Sequence, residues 1–105
     1  MTEIFRNAAP KTRYDKQSPY VHIMKRNGKM FGAGFKVGVQ PEKVAQVILE
    51  AIETPEYRLR WLVGEDAEGL VHGRRAMSDE DFVAMGGLED EEYNARYNAN
   101  FGIEL

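Results

Sequence analysis

Apolar positions recur at helical spacing between Pro41 and Glu53, and this is the clearest pattern in the 105-residue chain. Intervals of three and four residues are typical of one apolar helix face. Pro41 suits the first helical position, and Glu42 suits the positive end of the helix. Thr54 ends the helix because proline at position 55 pushes it out of the helical conformation. The apolar face comprises Val44, Val47, Ile48, Ala51 and Ile52.

Residues 57–63 alternate with a period of two, which predicts a β-strand ending at Gly64. Arg58 and Arg60 share one face of this strand. A single strand cannot form a sheet, and its edge would leave backbone groups unpaired. We therefore expect the strand to need a partner. Its apolar face comprises Tyr57, Leu59, Trp61 and Val63.

Residues 1–18 show no sustained period and predict a loop. Ser18 and Pro19 predict the start of a short helix, with serine as N-cap and proline at the first helical position. Gly28 weakens this helix, and the glycines of residues 32–34 are expected to end it as a flexible hinge. The positions at helical spacing are Tyr20, Ile23, Met24 and Asn27.

The C-terminal part of the chain predicts two further helices. Ser78 is the expected N-cap of a short helix whose Phe82 and Met85 point inward. Asp90 is the expected N-cap of the last helix, and Gly102 is its expected C-cap. Tyr93, Tyr97 and Phe101 line up at i, i+4 and i+8 in this helix, which predicts packing.

The composition favours a soluble protein of the cytoplasm. The chain has no cysteine, which excludes disulfides, thiolate catalysis and cysteine-bound zinc. No apolar run approaches the roughly 20 residues that span a bilayer, so we expect no membrane contact. Residues 1–10 lack the long apolar core of a secretory signal.

Charge is distributed unevenly along the chain. The balance is +6 in residues 1–36 and −8 in residues 65–105, within a net charge of −3. The basic charges stand singly, without the dense stripe that nucleic-acid binding needs, so this partner is disfavoured. The simpler interpretation is that the two ends attract each other, within one chain or across a dimer.

Two chemical motifs are incomplete. Gly32 and Gly34 resemble the start of a dinucleotide-binding loop, but Val37 stands where the third glycine belongs. His22 and His72 are fifty residues apart, with no acid pair nearby in sequence. We therefore predict no metal site and no histidine general base.

Residues 40–67, QPEKVAQVILEAIETPEYRLRWLVGEDA, resemble the C-terminal region of short-chain dehydrogenase/reductases. There, a helix beginning Pro-Glu-x-Val-Ala is followed by a Thr/Ser-Pro break, an arginine-rich strand and a Val-Gly-x-Asp-Ala turn. Residues 4–7 and 18–20 are similar to the family's substrate-covering loop and helix. Residues 77–82 are similar to the tails of some members.

The resemblance implies the fold class: an α/β fragment, the C-terminal part of a doubly wound Rossmann-type fold. Taken alone it would be mostly helical, with one clear strand at 57–63. Residues 1–105 would form a single partial domain. Residues 1–38 would be the lid loop and helix, 39–67 the last helix and strand, and 68–105 an acidic helical tail.

The resemblance also implies a function, that of the substrate-covering and dimerisation segment of an NAD(P)-dependent oxidoreductase. The family's cofactor loop, catalytic serine and Tyr-x-x-x-Lys pair all lie upstream of this region. None of the five tyrosines here has lysine four residues later. We therefore expect no catalytic residue, and no binding of NAD or NADP by this chain alone. Whether the chain belongs to an enzyme stays open, since a stand-alone interaction module derived from this segment is the alternative.

The resemblance assigns roles by position. Thr2 would meet the nicotinamide amide of the cofactor. The residues that would face an apolar substrate are Ile4, Phe5, Tyr20, Met24 and Phe31. The residues that would form an interface are Val44, Val47, Ile48, Ala51, Leu59, Trp61 and Val63. The expected partner is a second copy of the chain or an N-terminal cofactor domain.

Overall fold

The computed structural model describes residues 15–105, which form five α-helices. They are α1 (Val21–Lys36), α2 (Pro41–Glu53), α3 (Glu65–Arg75), α4 (Asp79–Gly86) and α5 (Asp90–Phe101). The expectation of a mostly helical chain is confirmed. The predicted strand is not confirmed, since residues 57–63 form a connecting segment without regular structure in the described part of the chain. A strand needs a neighbouring strand to pair with its backbone, and these helices offer none.

Helix α2 has the bounds that the sequence predicts. Pro41 occupies its first turn, Gln40 is its N-cap residue, and Thr54 is its C-cap residue. The Thr54 N–H donates to the carbonyl of Glu50 at 2.9 Å. Proline at both ends therefore limits this helix as expected.

Helix α1 is longer than the sequence predicts. It continues through Gly28 and through residues 32–34 to Lys36, so the expected hinge is wrong. Each interior glycine costs about 1 kcal/mol relative to alanine. Burial of Arg26 and Ala33 on the inner side of the helix offsets this cost.

The turn before α1 also differs from the prediction. Ser18 is not the N-cap, because α1 begins at Val21 and Tyr20 is the N-cap residue. The Ser18 Oγ accepts a hydrogen bond from the Tyr20 N–H at 3.3 Å. The Ser18 carbonyl accepts one from the Val21 N–H at 3.0 Å. Ser18 and Pro19 therefore form a turn that leads into the helix.

The structure tests three helix caps that the sequence predicts in the C-terminal part of the chain. The Ser78 Oγ accepts a hydrogen bond from the backbone N–H three residues later at 3.0 Å, which confirms it as the N-cap of α4. Gly102 adopts a left-handed conformation with φ of 67°, which confirms it as the C-cap of α5. Asp90 is not a cap, because it is the first helical residue and Glu89 precedes it as N-cap.

The core lies along α5. Its buried apolar side chains are Ala33, Met85, Tyr93, Tyr97, Phe101 and Ile103. The predicted packing of the α5 aromatic residues is confirmed. The ring centroids of Tyr93 and Tyr97 are 5.8 Å apart, and those of Tyr97 and Phe101 are 4.7 Å apart. Met85 is buried as expected, but Phe82 is 42% exposed, so its predicted inward position is wrong.

Helix α3 crosses the C-terminal end of α5 at a contact that only glycine permits. A β-carbon at Gly69 would overlap the carbonyl oxygen of Phe101, and one at Gly73 would overlap that of Asn100. The two glycines are four residues apart and therefore lie on the same side of α3. This pair lets the two helix backbones approach directly.

The sequence interpretation did not identify α3, although its charges carried a signal. Glu65, Asp66 and Glu68 lie in the first turn, and His72, Arg74 and Arg75 lie in the last turn. Acidic groups near the start and basic groups near the end complement the helix dipole. Gly69 and Gly73 weaken the intrinsic helix preference and obscure this pattern.

The described helices are loosely assembled. The radius of gyration is 16.8 Å, whereas a compact domain of 100 residues has about 13 Å. None of the helices within residues 15–105 combines the length and the apolar character that crossing a bilayer requires.

We predict that Gly69→Ala lowers the free energy of unfolding by about 1–3 kcal/mol, because the added methyl group meets helix backbone that cannot rotate away. The matched control is Gly28→Ala, where an added methyl group meets no atom within 4 Å. That control is expected to stabilise by about 0.4–1 kcal/mol. Urea denaturation followed by circular dichroism measures both. Equal effects of the two substitutions would contradict the close α3–α5 contact.

Candidate functional site

The apolar face of α2 is largely exposed. No residue of this helix is buried within the described structure. Val44 is 37% exposed, Ile48 is 57% exposed and Ile52 is 75% exposed. Val47 is half-buried and Ala51 is exposed. A helix with an apolar face normally buries that face against another element, so this face is built to be covered.

The segment after α2 turns its apolar side chains outward. Tyr57 is 98% exposed and Leu59 is 79% exposed. Arg58, Arg60 and Leu62, the residues of the opposite parity, line a groove against α3 and α5. The alternation that predicted a strand therefore persists in the placement of the side chains. At Tyr57 and Leu59, the segment therefore presents apolar side chains to solvent.

Trp61 is held locally instead of pointing outward with Leu59. Its Nε1–H donates to the carbonyl of Arg58 at 3.0 Å, and the Arg58 guanidinium lies 4.4 Å from the centre of its ring. Trp61 and Val63 are half-buried. The predicted interface residues therefore divide into an exposed group and three half-buried ones, Val47, Trp61 and Val63.

The outer face of α1 carries the predicted substrate-facing residues that the structure describes. At 100° per residue, Met24 and Phe31 lie opposite the buried Arg26. Met24 is 40% exposed and Phe31 is 70% exposed. Tyr20, just before the helix, is 65% exposed. Thr2, Ile4 and Phe5, predicted for the cofactor and the substrate, lie outside the described residues.

A groove of about 760 Å³ lies between α1, α2 and α3. Phe31 lines it, whereas Tyr20 and Met24 do not, so the structure brings only one of these three predicted residues to the groove. Its other apolar lining residues are Met30, Phe35, Val39, Pro41, Val44, Leu70, Tyr97 and Ile103. Its volume is in the range of small-molecule sites, and its lining is mainly apolar.

Sequence analysis missed most of this lining. Phe35 was not predicted because helix α1 was expected to end at residues 32–34. Its position four residues after Phe31, on the same face of a helix, was the available signal. Leu70 was missed together with α3. Val39 lies in the short connection to α2, where no periodic pattern applies.

Arg26 holds α1 in place. Its guanidinium is buried and donates to the Asp90 carboxylate from Nη2 at 2.8 Å and from Nε at 3.1 Å. It also donates to the carbonyl of Leu88 at 2.9 Å and to that of Gly86 at 3.1 Å. Its Cζ lies 4.1 Å from the centre of the Tyr93 ring. One side chain therefore joins α1 to the connection between α4 and α5.

Two pKa values reflect this cluster. The hydrogen bond from Arg26 lowers the pKa of the Asp90 carboxyl below its ordinary value. Burial raises the pKa of the Tyr93 hydroxyl, and the nearby Arg26 charge opposes that shift. The Tyr93 hydroxyl donates to the Met30 sulfur at 3.4 Å. Arg26, Asp90 and Tyr93 serve packing in the described structure and do not line the 760 Å³ groove, whereas Met30 does.

The incomplete glycine motif does not form a dinucleotide-binding loop. Gly32 and Gly34 lie inside α1 and not in a loop between a strand and a helix, so their backbone N–H groups are used within the helix. No group of three or more histidine or carboxylate side chains within residues 15–105 is arranged to hold a metal ion. Comparison of the chain with protein-family models, with curated proteins and with solved structures gives no match.

We predict that Arg26→Met lowers the free energy of unfolding by about 1.5–3 kcal/mol, because two carbonyl groups and a carboxylate lose a charged donor. The matched control is Lys25→Met on the exposed side of the same helix, for which we expect a change within about 0.5 kcal/mol. Chemical denaturation measures both. Equal losses would contradict the anchoring role of Arg26.

We also predict a pH dependence that is specific to Asp90. Its pKa is lowered in the folded chain, so its contribution is fully present above the ordinary value of about 3.9 and is lost as the pH falls through the folded value. Asp90→Asn should therefore destabilise at pH 7, and this effect should shrink as the pH falls below the ordinary value. Urea denaturation of both proteins across this range measures the difference. A constant difference would contradict the ion pair.

Proposed function

We propose that the chain is the substrate-covering and dimerisation segment of an NAD(P)-dependent short-chain oxidoreductase, not catalytic by itself. The exposed apolar face of α2 is the observation that carries this proposal. Residues 40–67, which resemble the C-terminal region of short-chain dehydrogenase/reductases, contain this helix and the segment after it. In such an enzyme they would be the last helix and the last strand of a doubly wound sheet.

The connecting segment at 57–63 supports the same proposal. A strand added at the edge of a sheet gains its hydrogen bonds from its neighbour, so the alternating pattern would become a strand only beside that partner. Tyr57 and Leu59 already point away from the helices. A large radius of gyration is also what we expect of a segment whose apolar surface packs against a partner instead of folding inward.

The outer face of α1 supports the substrate-covering part of the proposal. Met24 and Phe31 are exposed on one side of a helix whose other side is anchored by Arg26. Phe31 also lines the mainly apolar groove of about 760 Å³. A helix with this division of faces would cover an apolar substrate. The cofactor would be held by a domain that precedes the segment.

The native mass of the protein tests this proposal most directly. An immunoblot of source cells with an antibody against residues 78–105 should give a band at roughly two to three times the 12.0 kDa of this chain, the size of a cofactor domain plus this segment. A band at 12 kDa alone would contradict the oxidoreductase segment. That result would favour the alternative, a stand-alone interaction module, for which the buried cluster along α5 provides a basis.

We predict that the 105-residue chain self-associates through the α2 face and that Ile48→Asp weakens the association by at least about tenfold. Burying an isoleucine side chain contributes about 1.5–3 kcal/mol, and each 1.4 kcal/mol is a factor of ten in affinity. Light scattering across a concentration series measures the dissociation constant. The control is Val83→Asp on α4, which replaces a side chain that is 74% exposed and lies outside this face.

A chain that stays monomeric at 100 times its cellular concentration would exclude a second copy as the partner of α2. An equal effect of Ile48→Asp and Val83→Asp would show that the α2 face is not the contact. Leu59→Asp separates the two parts of the surface, because Leu59 is 79% exposed and lies on the connecting segment, not on the helix.

A further inference from the structure

A second groove, of about 810 Å³, lies between the 57–63 segment, α3 and the aromatic residues of α4 and α5. It is separate from the exposed apolar face of α2. We call it the arginine groove because Arg58, Arg60, Arg74 and Arg75 line it. Its apolar floor comprises Leu62, Leu70, Val71, Phe82, Tyr97 and Phe101.

The charge in the arginine groove is opposite to that of the region around it. The chain carries 17 acidic residues and a net charge of −3, with a balance of −8 in residues 65–105. No described carboxylate lines this groove, although Arg74 and Arg75 belong to that acidic region. Several cationic groups around an apolar floor concentrate a positive potential where dielectric screening is reduced.

Two of these four arginines are already engaged. Arg74 pairs with Asp79, donates to the carbonyl of Met77 at 3.3 Å and lies 4.6 Å from the centre of the Phe82 ring. Arg58 stacks on Trp61. Neither the Arg60 nor the Arg75 guanidinium has a hydrogen-bonding partner among residues 15–105. These two side chains therefore have donors available at the groove.

We propose that the arginine groove binds a small amphipathic carboxylate, with its apolar body on the floor and its carboxylate on Arg60 and Arg75. Guanidinium groups bind carboxylates through paired, charge-assisted hydrogen bonds. The leucine, valine and aromatic side chains of the floor favour an apolar body. The proposed site involves neither the α2 face nor a cofactor, and it shares with the proposed oxidoreductase role only the 57–63 segment.

Octanoate is the test ligand, and octanamide and acetate are its matched controls. Octanamide keeps the apolar body without the charge, and acetate keeps the charge without the body. Trp61 is the only tryptophan and stacks on a groove arginine, so its fluorescence reports binding. Isothermal titration of the full chain gives the dissociation constants directly. We expect octanoate to bind at least about tenfold more tightly than either control, since one charged hydrogen bond contributes about 1.5–3 kcal/mol.

The double variant Arg60→Gln, Arg75→Gln should weaken octanoate binding about tenfold or more and leave octanamide unchanged. Arg96→Gln is the control, because it removes an exposed arginine from α5 that does not line the groove. Its effect should stay within twofold. Both arginines of the double variant are exposed, and circular dichroism checks that the helices persist. With the unaltered chain, raising the salt concentration should weaken octanoate but not octanamide.

Octanoate and octanamide binding within twofold of each other would overturn the proposal, since the carboxylate would then add nothing. An effect of Arg96→Gln as large as that of the double variant would also overturn it, because overall charge would explain the binding. No heat and no fluorescence change with octanoate at millimolar concentration would do the same. None of these negative results would contradict the prediction that the chain self-associates through the α2 face.

Discussion

The buried guanidinium of Arg26 is the contact on which the position of α1 depends. It donates to the Asp90 carboxylate and to the carbonyls of Gly86 and Leu88, and it lies on the Tyr93 ring. Burying a cation is costly unless its donors are satisfied, and these contacts supply the partners of the guanidinium. They offset the unfavourable glycines of α1 and place its outer face beside the 760 Å³ groove.

Sequence periodicity predicted the elements whose structure is decided locally. Helix α2 and the aromatic packing of α5 followed from spacing alone, and Ser78 and Gly102 followed from cap chemistry. The errors arose where distant residues decide the outcome. The glycines of residues 32–34 favour a break, but burial of Arg26 and Ala33 keeps the helix intact. Residues 57–63 have a strand pattern without a partner strand.

The candidate surfaces were predictable only in part. The exposed apolar face of α2 was visible in the sequence as an amphipathic pattern, and its role as an interface stays a prediction. Met24 and Phe31 are exposed on one side of α1, and their substrate-facing role stays a prediction as well. Phe35 and Leu70 depended on helix bounds that the sequence does not indicate clearly. The arginine groove could not be foreseen, since it joins a connecting segment to two helices that are adjacent only in the fold.

The contacts of Arg26 also affect the order in which the helices assemble and separate. The hydrogen bonds that hold α1 join residues 60 to 64 positions apart, whereas α3, α4 and α5 pack within residues 65–105. Contacts between residues close in sequence form at lower entropic cost, so the α3–α5 unit should assemble first and α1 should dock last. In the folded protein, we expect the helices to open in the opposite order to their assembly. Helix α1 should separate in sub-global opening events, and its amide hydrogens should exchange with solvent before those of α5.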